Sequence, residues 1–122
     1  MEEIGKVFLV AEEASDKLVG YCVSSLEGRM AHLISIAVLT KSRRKGVATS
    51  LVRDLIEYLE ARRVDELWLE VKQGNKEAIK LYEKFGFAKV MILENYYSDG
   101  SPALRMRMSL RKQVLKVERN QR

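Results

Sequence analysis

The chain has 122 residues, 47% of them hydrophobic, which suits one globular domain with a single core. Its net charge is +5, from 22 Lys and Arg against 17 Asp and Glu, so anionic partners are favoured. No stretch of uncharged apolar residues is long enough to span a membrane, the first residues carry no signal-peptide apolar segment, and one cysteine (Cys22) with one histidine (His32) leaves no intrachain disulfide and no Cys/His metal cluster to expect. A soluble, cytoplasmic protein without a metal centre is the expectation.

In chain order, positions 6–12 read as a strand rich in Val, Phe and Leu, and 13–16 as a polar turn. Positions 18–26 form a second strand, Glu27-Gly28 a second turn, and 30–39 a third strand, apolar enough at its end to be buried on both faces. A basic turn follows. Val47, Leu51, Leu55 and Leu59 then recur every four residues, the mark of an amphipathic helix that ends near Ala61-Arg62-Arg63. Positions 67–71 are a short strand, with Trp68 expected in the core. Strand, helix, strand implies a parallel pair joined by a right-handed crossover. Asn75 is placed to cap a second helix, on which Ala78, Leu81, Tyr82 and Phe85 share a stripe and which Gly86 ends. Positions 87–93 are a strand, 95–102 a polar loop, and 103–110 a last strand with alternating Leu104, Met106, Met108 and Leu110.

Chemistry concentrates first at Arg43-Arg44-Lys45-Gly46-Val47-Ala48. A strand, a basic glycine-containing turn and a helix start together suit a phosphate or pyrophosphate. The first N–H groups of a helix lack internal partners and point at an anion, and Gly46 has no Cβ to hold a ligand off. Four of the five residues at 41–45 are cationic.

Three segments carry a family resemblance. Ile36-Ala37-Val38 followed by Arg43-Arg44-Lys45-Gly46-Val47-Ala48 fits the acetyl-CoA signature Gln/Arg-x-x-Gly-x-Gly/Ala. Leu67-Trp68-Leu69-Glu70-Val71 is followed by Asn75, Ala78, Leu81-Tyr82 and Phe85-Gly86-Phe87. Asn95-Tyr96-Tyr97 and Asp99-Gly100 precede Ala103 and Met106. In this order and spacing the chain resembles the GCN5-related N-acetyltransferases, and within them the group that includes the ribosomal-protein alanine enzymes and the archaeal N-terminal acetyltransferases. The resemblance runs over about 7–110. It implies an α/β (α+β) fold: a mixed, mostly antiparallel sheet with a splayed parallel strand pair and flanking helices. Residues 1–111 would be the acetyltransferase domain and 112–122 a basic tail. In that tail Lys112, Lys116, Arg119 and Arg122 face only Glu118, and a solvated end is favoured over nucleic-acid binding.

The resemblance also implies roles. Backbone groups of Ile36, Ala37 and Val38 would pair with the pantetheine arm and the thioester carbonyl of acetyl-CoA. The N–H groups of Arg44, Lys45, Gly46, Val47, Ala48 and Thr49, beside Arg43, would hold the pyrophosphate. Asn75 would reach the pantetheine arm, or serve only as the helix cap. Glu70, a carboxylate at the end of a central strand, is the candidate base; its bland alternative is a rim salt bridge to a lysine. His32 is the fallback base. A modest base suffices for a protein α-amine, whose pKa is near 8. Tyr82 is the candidate acid for the departing thiolate; its spacing alone would make it a core aromatic. Tyr96 and Tyr97 are candidate substrate contacts or strand-end packing.

The implied reaction is direct acetyl transfer to the N-terminal α-amine of a protein or peptide, a ribosomal protein among the candidates. No acyl-enzyme is expected, because Cys22 is remote in sequence from the motif residues. Two alternatives stay open: acetylation of a small-molecule amine, and a non-catalytic acyl-CoA-binding module. Family members usually open with a further strand and two helices, whereas here only residues 1–5 precede the first strand. The acceptor side is therefore expected to be open, with apolar sheet surface exposed, which favours a homodimer.

Overall fold

A computed structural model describes residues 4–14 and 16–111. The tail at 112–122 lies outside them. The order is β1 (Ile4–Glu13), β2 (Lys17–Glu27), β3 (Met30–Val38), α1 (Val47–Ala61), β4 (Glu66–Lys72), α2 (Lys76–Phe85), β5 (Ala88–Leu93) and β6 (Ala103–Ser109). A one-turn 3-10 helix, Thr40–Ser42, fills the turn after β3 and was not foreseen. The strands form one six-stranded sheet in the order β1-β2-β3-β4-β6-β5. Every pairing is antiparallel except β3 with β4.

Alternation along the strands gives the sheet two unlike faces. Val7, Cys22, Leu26, Ala31, Leu33, Leu67, Leu69, Val71, Leu104 and Met106 point to one of them. There they bury against Leu51, Val52, Leu55, Ile56 and Leu59 of α1 and against Ile79 and Tyr82 of α2. The α1 stripe is the one its spacing predicts. On α2 it is turned by one position: Ile79 is buried beside Tyr82, while Ala78, Leu81 and Phe85 are half-buried.

The other face is open. Phe8, Val10, Tyr21, Met30 and Ile34 are exposed on it. This corrects the expectation that the end of β3 is buried on both sides: Ile34 and Leu39 are half exposed, because among the described residues no element lies over that face. It also corrects Trp68. Its position pairs with His32 and Arg107 on the open face, where its Nε1–H donates to Glu66 Oε1 (3.0 Å) and the Arg107 guanidinium lies 5.8 Å from its ring.

The parallel pair is short. Met30 to Leu33 align with Glu66 to Leu69, and there the ladder stops. Past that point β3 stays bonded to β2 as far as Val38–Gly20, and β4 stays bonded to β6 as far as Lys72–Ala103. At the parting point β3 carries an extra residue: Val23 faces Ser35 but Ser24 faces Leu33, so Ile34 is a bulge. A bulge adds local twist to its strand, and here it turns β3 away from β4. The buried Ser24 hydroxyl lies within 3.1 Å of the His32 carbonyl and 3.0 Å of its neighbour Ser25's, so the kink leaves no buried polar group unpaired among the described residues.

Gly20 fixes the upper end of this arm. A Cβ there would lie 2.9 Å from the Ala37 carbonyl oxygen and 3.2 Å from Val47 at the start of α1. Gly20→Ala is therefore expected to cost about 1–3 kcal/mol, as overpacking does. Gly5→Ala, with nothing within 4 Å of its Cβ, should be near neutral. Urea midpoints of the two variants check this.

Candidate active site

The turn between β3 and α1 is shaped by two left-handed residues, Arg44 (φ 66°) and Gly46 (φ 80°). Gly46 sits at the N-cap of α1 and supplies no side chain to cap it. The first turn of α1 holds no acidic residue, although carboxylates favour that position. Among the described residues, none of the backbone N–H groups of Arg44, Lys45, Gly46, Val47, Ala48 and Thr49 donates a backbone hydrogen bond. Ser50 is the first to do so, to the Gly46 carbonyl (3.0 Å). Six consecutive donors thus stand open beside the exposed cations Lys41, Arg43, Arg44 and Lys45, none of which has an ion pair among the described residues. Arg43 turns back, its Nε–H donating to the Val38 carbonyl (3.2 Å), and so ties the turn to the end of β3. On the side facing β4, Ile36, Ala37 and Val38 lie beyond the last residue of the parallel ladder.

Glu70 lies one residue past the end of that ladder, on β4, with its side chain on the open face. That side chain is only 7% exposed. Its Oε1 accepts from His32 Nε2–H (2.6 Å) and from the Tyr96 hydroxyl (3.4 Å), and its Oε2 accepts from Arg105 Nε–H (2.9 Å). Burial alone would raise its pKa, but the Arg105 and His32 hydrogen bonds and charges outweigh it, and Glu70 stays below the usual glutamate range. The rim salt bridge that the sequence suggested is real in kind, with arginine in place of lysine. His32 is more open, with its side chain 43% exposed. With Nε2–H engaged by Glu70, the other ring nitrogen is the one left to accept in the neutral tautomer.

Tyr82 stands on the opposite side of the sheet. Its ring is buried and meets Phe87 edge-on at 5.6 Å. Its hydroxyl makes no hydrogen bond among the described residues, none of which has a buried unpartnered side-chain polar atom, so the oxygen reaches open space. Burial, then Cys22 and Tyr97, push its pKa up to about 12, and the phenol keeps its proton. Tyr97 is raised in turn by burial, Tyr96 and Glu70. The Tyr96 and Tyr97 rings meet edge-on at 5.0 Å. The structure also brings Cys22 into this neighbourhood, contrary to its distance in sequence. Its thiol is buried and its pKa is pushed up to about 11, first by burial, so it is a poor nucleophile.

The tyrosine loop is firmly built. Asp99 accepts from the Ser101 amide (2.9 Å) and hydroxyl (2.6 Å) and from Lys72 Nζ (3.2 Å), which hold its pKa at about 2. Lys72 also lies 5.4 Å from the Tyr97 ring centre. Asn75 caps α2, with Oδ1 accepting from Ala78 N–H (3.1 Å). The cap expectation therefore holds for its oxygen, and its amide nitrogen has no partner among the described residues. Arg105 and Lys72 had no signal in the sequence, since nothing in their spacing says which strand they face, and Asp99 stood in the third motif without a role. An open hollow of about 390 Å3 on α2, lined by Lys76, Lys80, Lys89 and Leu104 among others, contains none of these groups. Among the described residues, no cluster of His, Cys, Asp and Glu could hold a metal ion, and no helix is long and apolar enough to cross a membrane.

A group whose folded pKa is depressed stabilises the fold above its unfolded value, and that stability is lost as pH falls through the folded value. Glu70→Gln should accordingly lower stability at pH 7 by about 1–3 kcal/mol, the scale of hydrogen bonds to a charged group. The gap to the wild type should narrow below pH 4.5, the ordinary glutamate value. Urea titrations of both proteins from pH 3 to pH 7 measure it.

The chain is 37% identical over 119 aligned residues to an N-alpha-acetyltransferase of Saccharolobus solfataricus, which spans 87% of this chain and 71% of that protein. Among solved structures, the ribosomal-protein-S18-alanine N-acetyltransferase of Escherichia coli superposes with a TM-score of 0.83 at 30% identity, covering 93% of this chain and 74% of that one. Ard1 of Thermoplasma volcanium gives 0.81 at 34% identity, over 86% of this chain and 71% of that one. The family model described as acetyltransferase (GNAT) matches residues 2–87, so the splayed sheet with its open amide row and its paired Glu70 belongs to a member of the GNAT acetyltransferase family.

Proposed function

We propose that this chain transfers an acetyl group directly from acetyl-CoA to the N-terminal α-amine of a protein or peptide. The observation that carries the reading is the fork between β3 and β4, with open backbone donors on one arm and the His32–Glu70 pair beside the other. Its relatives of known name, the N-alpha-acetyltransferases, support the choice of acceptor.

Acetyl-CoA supplies an activated thioester, and the residues of the chain do the rest. The amides of Arg44, Lys45, Gly46, Val47, Ala48 and Thr49, with Arg43, hold the pyrophosphate. The free edge at Ile36, Ala37 and Val38 pairs with the pantetheine arm, and the Asn75 amide nitrogen donates to the same arm. Glu70 and His32 act as one base. Glu70, held ionised by Arg105, orients the ring and stabilises the charge His32 gains when it takes the amine proton. Tyr82, protonated at every physiological pH, donates to the departing thiolate. Tyr96 and Tyr97 flank the incoming peptide. We place the protein in the cytoplasm, with newly made polypeptides, ribosomal proteins included, as its acceptors.

Steady-state kinetics with acetyl-CoA test this. Short peptides with a free N-terminus should be acetylated and the same peptides with a blocked N-terminus should not. Good transfer to a small-molecule amine and none to any peptide would replace the acceptor assignment, while CoA binding without turnover would replace the catalytic one. Tyr82→Phe should lower kcat at least about tenfold with the KM for acetyl-CoA within about twofold, and His32→Ala should lower it about 100-fold, the scale of a general base. An unchanged kcat in either variant removes that residue from the chemistry.

A further inference from the structure

The alternation of β6 sets Arg105 and Arg107 on the same face as Glu66 and Glu70 of β4, and the antiparallel register places Arg105 directly opposite Glu70. Each of these carboxylates takes one arginine. Arg105 Nε–H donates to Glu70 Oε2 (2.9 Å) and Arg107 Nη1–H donates to Glu66 Oε2 (3.1 Å). Glu70 also meets a side chain whose type titrates near neutrality. Its Oε1 lies 2.6 Å from His32 Nε2, so one carboxylate stands between a fixed cation and an imidazole.

A carboxylate at that distance favours the protonated ring. Unopposed, it would draw His32 toward the imidazolium, and an imidazolium cannot take the proton of an amine. Arg105 opposes it. A guanidinium keeps its charge at every working pH, and its Nε–H occupies the oxygen that His32 leaves free. With the ring neutral, the charges of Glu70 and Arg105 cancel; with the ring protonated, the three groups carry one net positive charge. The side chain of Glu70 is 7% exposed and that of Arg105 34%, so solvent screens this balance only in part. The other charged groups on the described elements around His32 are few. On β2, Ser25 stands opposite His32 and does not titrate, and Glu27 stands opposite Met30. On β4, Glu66 is engaged by Arg107 and Lys72 by Asp99. Tyr96 donates its hydroxyl to Glu70, and burial keeps the Tyr97 phenol protonated.

We propose that Arg105 is a positioning residue that keeps His32 neutral and ready to accept a proton at physiological pH, by offsetting the charge that Glu70 presents to the ring. The inference rests on the reading of His32 and Glu70 as one base and deepens it: Glu70 orients the imidazole, and Arg105 stops that carboxylate from charging the ring before the amine arrives. The task needs a cation and not merely a donor. A neutral amide in place of Arg105 could still bond Glu70 Oε2, but it would leave the charge of Glu70 unopposed.

The chain has a single histidine, so nuclear magnetic resonance of that ring in the untagged protein tests the proposal directly. Arg105→Gln should raise the titration midpoint of His32 by about 0.5–1 pH unit, the scale of losing one nearby charge from a partly screened site. Arg105→Lys keeps the charge and should stay within about 0.3 unit of the wild type. Arg107→Gln removes the same charge from beside Glu66 and should shift the midpoint by less than half as much. If circular dichroism shows that Arg105→Gln does not fold, Arg105→Met carries the same test. In kinetics with a peptide acceptor, Arg105→Gln should lose about two- to fivefold in kcat/KM at pH 6 and return to within about twofold of the wild type at pH 9, whereas a merely structural loss would persist at both. A midpoint that is unmoved or lowered in Arg105→Gln overturns the proposal. So does a lysine variant that titrates like the glutamine one, a shift of half or more in Arg107→Gln, or a rate loss equal at the two pH values. The titration needs no substrate, so an absence of acetyl transfer would strike the proposed function and leave this test standing.

Discussion

The structure turns on the point where β3 and β4 stop pairing. Leu33 and Leu69 are the last aligned residues of the parallel ladder, and both are buried. Below them the sheet is continuous and its core is ordinary. Above them each strand is kept in place by its outer neighbour alone, β3 by β2 and β4 by β6. The bulge at Ile34 sets the parting at this residue. Two strands that separate within a sheet expose inner edges with hydrogen-bonding groups left over, and such groups need partners. A ligand laid along the fork can provide them. Tyr82 lies on the helix side of this sheet and Glu70 on the open side.

The two arms treat polar groups in opposite ways. Among the described residues the turn after β3 leaves six amides without backbone partners and four cations without an ion pair, and α1 begins with no acidic residue to satisfy them. Glu70 has every oxygen engaged, by His32, Tyr96 and Arg105. An anion that comes and goes must find its donors empty. A base must be held still, with its charge defined before the substrate arrives. The unpaired row therefore suits binding of a diphosphate and the paired carboxylate suits proton transfer. The loop bearing Tyr96, which bonds Glu70, and Tyr97 is itself held by Asp99, Ser101 and Lys72.

The eight main elements and the parallel crossover were legible in the sequence because their periods are clean. Leu51, Leu55 and Leu59 can be read only as one helix face, and Leu104 to Leu110 only as a strand. What was not legible depends on what lies across the sheet. Trp68 alternates with Leu67 and Leu69, and alternation cannot say which face is covered; it lies on the open one. Ile79 was passed over for Leu81 because one position of helix rotation changes the stripe little and the burial much. Glu70 and His32 were each singled out, yet a separation of 38 positions hides their 2.6 Å contact. Only the parallel register, which sets His32 beside Trp68, two residues before Glu70 on the same face, brings them together.

Tyr82 shows why core and chemistry cannot be separated here. Its ring belongs to the buried cluster that includes Cys22, Leu33 and Leu69, and this burial is what raises its pKa. The same burial raises Cys22, so the thiol beside it stays protonated and closed to substrate. One apolar environment thus does two things: it keeps a phenol charged with its proton, and it denies the neighbouring sulfur the thiolate it would need to carry an acyl group. The direct transfer proposed above fits this packing, since the one cysteine of the chain is buried here and its thiol is held in the protonated form.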